Sequence, residues 1–203
     1  MQKKLICLGD SLTFGYGVRP SLRWTNVAAK ETGWEIVNEG INGDTTGGML
    51  ARLQTKVLPM LRVGTFCANR PCVLLLGGTN DVFYSGTDIV ARTNMGAMLH
   101  QLLAAGVFPM VGSPLPVDAG APGAWAAVVD FSAAEECLKE YRGWLAHFCA
   151  VFGVPLVDFC ADFLCPDGMI CTELLLDGLH PTPEGHQLMA RRLCAQLKKE
   201  QQG

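Results

Sequence analysis

Short apolar runs without polar alternation constrain the fold of this chain more than any other feature. Leu5–Leu8 and Pro71–Leu76 are both continuous apolar stretches, and glycine and small polar residues follow each of them at once. Such runs are typical of strands that are buried on both faces of a parallel sheet. We therefore expect strands here whose carboxyl ends open directly into polar loops.

Strand patterns alternate with helix patterns along the rest of the chain. Further strands are predicted at Trp34–Asn38, Val107–Val111 and Val154–Val157. Helices are predicted at Leu22–Thr32, Met49–Leu61, Ile89–Ala105, Ser132–Phe152 and Glu184–Lys199, with Ser132 and Glu135 as a capping pair. This alternation indicates a single α/β domain over residues 1–203, with a parallel sheet of about five strands and helices on both faces.

The stretch Gly112–Asp130 does not fit this alternation. It is rich in proline, glycine and alanine and contains one bulky aromatic residue, Trp125. We expect a surface excursion that lies near the site.

Composition excludes several classes of partner. Charged residues make up 17% of the 203 residues and the formal net charge is −3, so no basic surface indicates nucleic acid or an anionic membrane. The apolar run after the first lysines is too short for a signal-peptide core, and no apolar segment is long enough to span a bilayer. We therefore expect a soluble, cytoplasmic protein.

The nine cysteines are interpreted mostly as small apolar residues of the core, because they are spread through predicted core segments. Cys160, Cys165 and Cys171 lie close together in the sequence. Their spacing contains no CxxC pair and no histidine lies among them, so we expect no metal site.

Three predicted strands end in loops that carry polar groups or exposed backbone. Ser11 follows the first strand, Gly43 lies after the second, and Asn80 follows the third. Carboxyl ends of parallel strands meet at one edge of a sheet, where ligands bind. A serine nucleophile needs oxyanion donors, and the N–H of Gly43 and the amide of Asn80 are suited to that purpose.

Such a nucleophile also needs a base and a group that orients the base. Asp177 and His180 lie three residues apart just before the last predicted helix. The other histidines, His100, His147 and His186, fall inside predicted helices. His180 is therefore the candidate base.

Four segments together resemble the blocks of the SGNH, or GDSL-type, hydrolase family. They are Gly9-Asp10-Ser11-Leu12, Asn42-Gly43-Asp44-Thr45, Gly78-Thr79-Asn80-Asp81 and Asp177-x-x-His180. Their order and spacing cover nearly the whole chain. The resemblance implies a flavodoxin-like three-layer α/β/α sandwich and hydrolysis of esters or thioesters without a metal or other cofactor.

The resemblance also implies a role for each residue. Ser11 is the nucleophile, His180 acts as general base and then as general acid, and Asp177 orients His180. The oxyanion donors are the backbone N–H groups of Ser11 and Gly43 and the side chain of Asn80. The implied partner is a small-molecule ester or thioester, and the sequence specifies no oligomeric state.

Structural roles remain open for several of these residues. Asp10 and Ser11 are also typical helix caps, and Asp10 and Asp81 are interpreted as buried carboxylates that hold the loops through backbone amides. Gly43 could serve backbone geometry alone. Five loop residues either line an acyl pocket or anchor the packing: Trp24, Phe83, Tyr84, Trp125 and Leu179.

The leading functional interpretation is a serine esterase for short to medium acyl chains, because the short excursion can hardly enclose a long one. A lysophospholipase, a long-chain thioesterase and an acyltransferase are alternatives that would use the same site. A flavodoxin-like anion-binding module is the non-enzymatic alternative. The Asp-x-x-His pair favours an enzyme, because a binding module does not need that pair beside a serine.

Overall fold

A computed structural model describes residues 3–62, 72–121 and 124–200, without the side chains of residues 124 and 126. Its centre is one sheet of five strands, all paired in parallel. The strands are β1 (Lys4–Gly9), β2 (Glu35–Gly40), β3 (Cys72–Leu76), β4 (Phe108–Gly112) and β5 (Leu156–Val157), in the order β2-β1-β3-β4-β5. The predicted strands are confirmed, although Pro71 lies outside the described residues.

Helices cover both faces of this sheet. They are α1 (Ser11–Phe14), α2 (Trp24–Thr32), α3 (Thr46–Arg52), α4 (Leu58–Arg62), α5 (Thr79–Ser85), α6 (Ile89–Ala104), α7 (Phe131–Phe152) and α8 (Pro183–Lys199). A π-helical turn, Leu53–Val57, joins α3 to α4, and short 3₁₀ turns lie at Pro20–Leu22, Ala124–Ala127, Cys160–Phe163 and Thr172–Leu174. The predicted three-layer α/β/α architecture is confirmed. None of the described helices could span a membrane.

Alternate side chains of β1 supply two separate cores. Ile6 and Leu8 join a cluster with buried residues of α3, α6 and α7. Leu5 and Cys7 join a second cluster with residues of α2 and α8. All four side chains are fully buried, so the strand is apolar without alternation because both of its faces meet helices.

Two local predictions are wrong. Thr79–Ser85 forms α5, where a loop was expected. Helix α7 begins after Asp130, whose side chain accepts a hydrogen bond from the N–H of Ala133, so Ser132 is not the cap. Glu135 instead accepts the N–H of Val117 at 2.8 Å, because the preceding loop packs back against α7.

The Gly112–Asp130 stretch is only partly a surface excursion. Ser113, Leu115 and Val117 are buried beside the sheet, which corrects the expectation for this part. The chain then reaches the loop before α8, where the N–H of Asp118 donates to the carbonyl of Gly178 at 2.8 Å. The stretch is therefore part of the support for residues 177–180.

Of the cysteines in the described residues, six are free thiols and two are bonded to each other. Cys7, Cys149, Cys160 and Cys194 are buried thiols, as expected for small core residues. Cys165 and Cys171 form a disulfide, which the spacing argument did not predict. The chain reverses between Leu164 and Ile170, which pair as an antiparallel bridge, and this brings the two sulfur atoms together.

The two sulfur atoms also lie in a group with the carboxylate of Glu173, all within 4.8 Å of one another. Because Cys165 and Cys171 are bonded to each other, their thiolates are not available as metal ligands.

The cytoplasmic location of the protein stays a prediction.

The end of β2 lies close to α1, and this contact generates a test of the packing. A Cβ at Gly40 would lie 2.1 Å from the backbone nitrogen of Phe14, whereas a Cβ at Gly143, inside α7, would have no described atom within 4 Å. We expect Gly40→Ala to lower the free energy of unfolding by about 1–3 kcal/mol, because the backbone at Phe14 must move to make room for the added methyl group. Gly143→Ala should raise it by roughly 0.5–1 kcal/mol, because alanine favours the helix. Urea denaturation of both variants measures this, and equal effects would contradict the close contact.

Candidate active site

Ser11 lies at the carboxyl edge of the sheet, directly after β1. The strand ends at Gly9, Asp10 caps α1 by accepting the N–H of Leu12 at 2.9 Å, and Ser11 is the first residue of that helix. The side chain of Ser11 is nearly buried. A short turn between a buried strand and a capped helix therefore fixes the hydroxyl in place.

The structure brings Asp177 and His180 to this hydroxyl. Nε2 of His180 lies 3.0 Å from Oγ of Ser11, and Nδ1 of His180 lies 2.8 Å from Oδ2 of Asp177. The other carboxylate oxygen of Asp177 accepts the N–H groups of Leu179 and His180, at 3.2 and 2.8 Å. Three side chains thus form a continuous hydrogen-bonded chain across 169 residues of sequence.

The protonation of this chain follows from its contacts. Partial burial opposes ionisation of Asp177, but hydrogen bonds from the ring and backbone of His180 outweigh it and hold the pKa below its ordinary value. The carboxylate is therefore charged at neutral pH and accepts Nδ1–H of His180. In the neutral imidazole this assigns the lone pair to Nε2, the nitrogen that faces Ser11.

The loop that carries His180 depends on a glycine. Gly178 has φ = +83°, and a Cβ there would lie 2.3 Å from Cβ of Ala121 and 3.0 Å from the carbonyl oxygen of Asp118. The bridge between Leu175 and Pro181 closes the loop. Only glycine satisfies both the left-handed backbone and the close approach.

The second and third loops are joined to each other. Thr46 donates its N–H and its hydroxyl to the two carboxylate oxygens of Asp81, at 2.9 and 2.6 Å, which is the loop-holding contact that the sequence suggested for Asp81. Nδ2 of Asn80 donates to the carbonyl of Asp44 at 2.8 Å. Gly43, with φ = +75°, precedes that carbonyl. Two of the three candidate oxyanion donors, Gly43 and Asn80, thus belong to segments that are hydrogen-bonded to each other.

Sequence reasoning missed Arg52, the last residue of α3. Its guanidinium donates to the carbonyls of Glu39 and Gly9, at 2.6 and 2.9 Å, and pairs with the carboxylate of Asp44. One side chain therefore links the ends of β1 and β2 to the Gly43 loop. The sequence does not indicate these contacts, because Arg52 occupies an ordinary polar position of a helix and the carbonyls that it binds belong to other segments.

The carboxyl group of Asp10 lies behind the nucleophile and is fully buried. Burial raises its pKa to about 7, and the nearby charges of Asp44 and Asp81 add to the effect. One oxygen of Asp10 caps α1 and the other has no partner among the described atoms. The predicted structural role of Asp10 agrees with this position.

The other histidines do not face Ser11 in the part of the chain that the structure describes. His186 is fully buried, and its Nδ1 accepts the N–H of Trp24 at 3.3 Å. Burial, with Arg23 and His180 nearby, lowers the pKa of His186 to about 4, so it is neutral at pH 7. His100 lies on α6 against the rings of Phe148 and Phe152, and residue 147 lies on the exposed side of α7.

The five residues that were expected either to line an acyl pocket or to anchor the packing differ in burial. Trp24 and Leu179 are buried in the two cores and anchor the packing. Phe83 is partly buried against Phe131. Tyr84 and Trp125 are exposed.

A further aromatic residue near the site, which was not predicted, is Tyr16, whose ring centroid lies 4.5 Å from that of His180. Its position in the first loop, five residues after Ser11, was the available signal.

Comparisons with known proteins agree with this fold. A family model described as the GDSL-like lipase/acylhydrolase family matches residues 7–188. No curated protein matches the chain significantly.

Solved structures with a similar fold include an aryl esterase from M. smegmatis, with 22% identity, a TM-score of 0.78 and coverage of 97% of this chain and 99% of that one. A carbohydrate acetylesterase from Sinorhizobium meliloti has 21% identity, a TM-score of 0.76 and coverage of 98% and 99%. A member of the lipolytic G-D-S-L family from Veillonella parvula has 19% identity, a TM-score of 0.78 and coverage of 97% and 99%.

The contacts of Arg52 generate a stability test with a matched control. The side chain of Arg52 is 16% exposed, whereas that of Lys56, one turn later, is 53% exposed and pairs with the carboxylate of Glu39. Arg52→Met should lower the free energy of unfolding by roughly 3–5 kcal/mol, because Asp44 loses its charged partner. Lys56→Met should change it by less than about 1 kcal/mol. Urea denaturation distinguishes the two, and a neutral Arg52→Met would contradict the linking role.

Proposed function

The chain belongs to the GDSL-like lipase/acylhydrolase family and is a carboxylic ester hydrolase, and on this basis we propose that it cleaves small-molecule esters through an acyl-enzyme on Ser11. One observation carries the proposal. His180 lies between Ser11 and Asp177 with hydrogen-bond distances of 3.0 and 2.8 Å, in the tautomer that leaves Nε2 free to accept a proton.

The first half of the reaction forms the acyl-enzyme. Nε2 of His180 takes the hydroxyl proton as Oγ of Ser11 attacks the ester carbonyl, and the carbonyl oxygen becomes an oxyanion. Asp177 stabilises the imidazolium that results. The N–H groups of Ser11 and Gly43 and the side chain of Asn80 donate to the oxyanion. The intermediate collapses when His180 returns the proton to the leaving alcohol oxygen, and the C–O bond breaks.

The second half regenerates the enzyme. Water gives a proton to His180 and attacks the acyl carbonyl, and the same donors stabilise the second oxyanion. His180 then protonates Oγ of Ser11 and the carboxylic acid leaves. A thioester would follow the same steps with a thiol as leaving group.

The donors are held in place before substrate binds. Asn80 has two N–H groups on its amide, and the one that binds the carbonyl of Asp44 fixes the plane of the other. Arg52 in turn holds Asp44. Donors fixed in this way need no reorganisation when the oxyanion forms, which is the main source of their effect on rate.

We also propose that the acyl group is short to medium in length. Ser113, Leu115 and Val117 are buried, so the described part of the excursion that is left to cover a substrate is residues 118–121 and 124–130. A cavity of about 420 Å³ lies on this excursion, but it is lined by residues 119 and 127–132 and not by Ser11. The solved structures similar to this chain include a carbohydrate acetylesterase, whose substrate carries a short acyl group.

Covalent labelling tests the nucleophile. A fluorophosphonate probe should modify the native protein at Ser11, as read by peptide mass spectrometry, and Ser11→Ala should lose both the label and about 10⁴-fold or more in kcat. Ser132→Ala, which removes an exposed serine at the start of α7, is the matched control and should keep both. Labelling that persists in Ser11→Ala would contradict the assignment.

A series of p-nitrophenyl esters from acetyl to palmitoyl tests the acyl length. Each buried methylene contributes about 0.8 kcal/mol, or roughly fourfold, only while pocket wall is left to receive it. We therefore expect kcat/KM, measured below the critical micelle concentration of each ester, to peak at short to medium chains. A steady rise to palmitoyl would indicate a lysophospholipase or long-chain thioesterase.

A further inference from the structure

The proposed mechanism does not use two exposed apolar side chains, of which Tyr16 lies against the ring of His180 and Leu176 lies next to Gly17. Tyr16 is 46% exposed, and its ring is tilted by 42° against the ring of His180 at a centroid distance of 4.5 Å. His180 is itself buried. Tyr16 therefore covers part of the His180 ring and presents the rest of its own surface to solvent.

Leu176 adds exposed apolar area next to Gly17, the residue after Tyr16. It is 49% exposed, and its Cδ1 lies 2.5 Å from the position that a Cβ would take on Gly17, the residue after Tyr16. The N–H of Leu176 donates to the carbonyl of His180 at 2.7 Å. The Tyr16–Leu176 surface thus joins the loop of the nucleophile to the loop of the base.

The chemistry fixes which half of an ester meets this surface. As general acid, His180 must place Nε2 within hydrogen-bond distance of the leaving oxygen. The group attached to that oxygen then lies beside the His180 ring. The acyl half remains on Ser11, with its oxygen directed to the donors of the second and third loops. The Tyr16–Leu176 surface therefore faces the alcohol half.

From this geometry we propose that the Tyr16–Leu176 surface is a leaving-group subsite for a planar aromatic alcohol, so that the preferred substrates are aryl esters; this rests on the proposed function. A tyrosine ring and a leucine offer apolar area and a π face. Aromatic pairs gain about 0.5–1.5 kcal/mol beyond the area that they bury. A flat ring uses both contributions, whereas a small alkyl group uses neither fully.

Two acetate esters with different alcohols test the subsite. Phenyl acetate and ethyl acetate form the same acetyl-enzyme, and kcat/KM reports the acylation step in which the alcohol is still bound. The ratio of kcat/KM for phenyl acetate to that for ethyl acetate is compared between each variant and the wild type, so the intrinsic reactivity of the esters cancels. Tyr16→Ala should lower this ratio roughly 3–10-fold, and Leu176→Ala should lower it about 3-fold.

Two further variants separate the aromatic face from other causes. Tyr16→Phe keeps the ring and should keep the ratio within about 2-fold of the wild type. Tyr84 is also an exposed tyrosine, but its hydroxyl lies 3.8 Å from the Cβ position of Gly43, in the second loop. Tyr84→Ala should therefore leave the ratio unchanged.

Equal slowing of both esters in Tyr16→Ala would overturn the subsite, because a residue that only supports His180 affects every leaving group alike. Cyclohexyl acetate adds a ring of similar size without a π face. A loss on cyclohexyl acetate as large as that on phenyl acetate would overturn the aromatic preference.

Mass spectrometry of acid-quenched wild-type enzyme keeps this test apart from the proposed function. Acetyl-Ser11 with an unchanged ratio contradicts the subsite alone. Absence of acetyl-Ser11 and of turnover with every ester would contradict the proposed function, and the subsite with it.

Discussion

Burial of β1 between two strands and two layers of helices is the constraint on which the rest of the structure depends. The strand pairs with β2 on one side and β3 on the other, and its side chains fill both cores. The loops after these three strands therefore open beside one another. Ser11 at the start of α1, Gly43 in the loop after β2 and Asn80 at the start of α5 share one edge because the strands before them are neighbours.

Charged groups around this edge have contrasting surroundings. Asp177 receives hydrogen bonds that keep it ionised, whereas Asp10 is buried deeply enough that its pKa rises to about 7. Asp44 pairs with Arg52, whose guanidinium also satisfies two strand-end carbonyls. Different surroundings thus go with different partners: Asp177 bonds to the ring of His180, Asp10 caps α1, and Asp44 pairs with Arg52.

The surface near Ser11 consists of side chains from the same loops that hold its polar groups. Tyr16 follows Ser11 in the first loop, Leu176 precedes the Asp177–His180 pair, and Tyr84 lies near Gly43. The backbones of Tyr16 and Leu176 are held by hydrogen bonds to the carbonyls of Ser11 and His180. The proposed leaving-group subsite therefore depends on the same backbone contacts that position His180.

The five parallel strands, their alternation with helices and the five candidate site residues could be predicted from the sequence, because apolar runs, glycine-rich turns and short motifs are local patterns. Which side chains contact one another depends on the tertiary structure. In it, residues 113–117 are buried and Cys165 is bonded to Cys171. Arg52 donates to the carbonyl of Gly9, and Tyr16 lies against His180. The contact of Arg52 joins segments that are distant in the sequence, so it depends on the packing of the whole sheet. Cys165 and Cys171 are six residues apart, but whether their sulfur atoms meet depends on how the chain reverses between them.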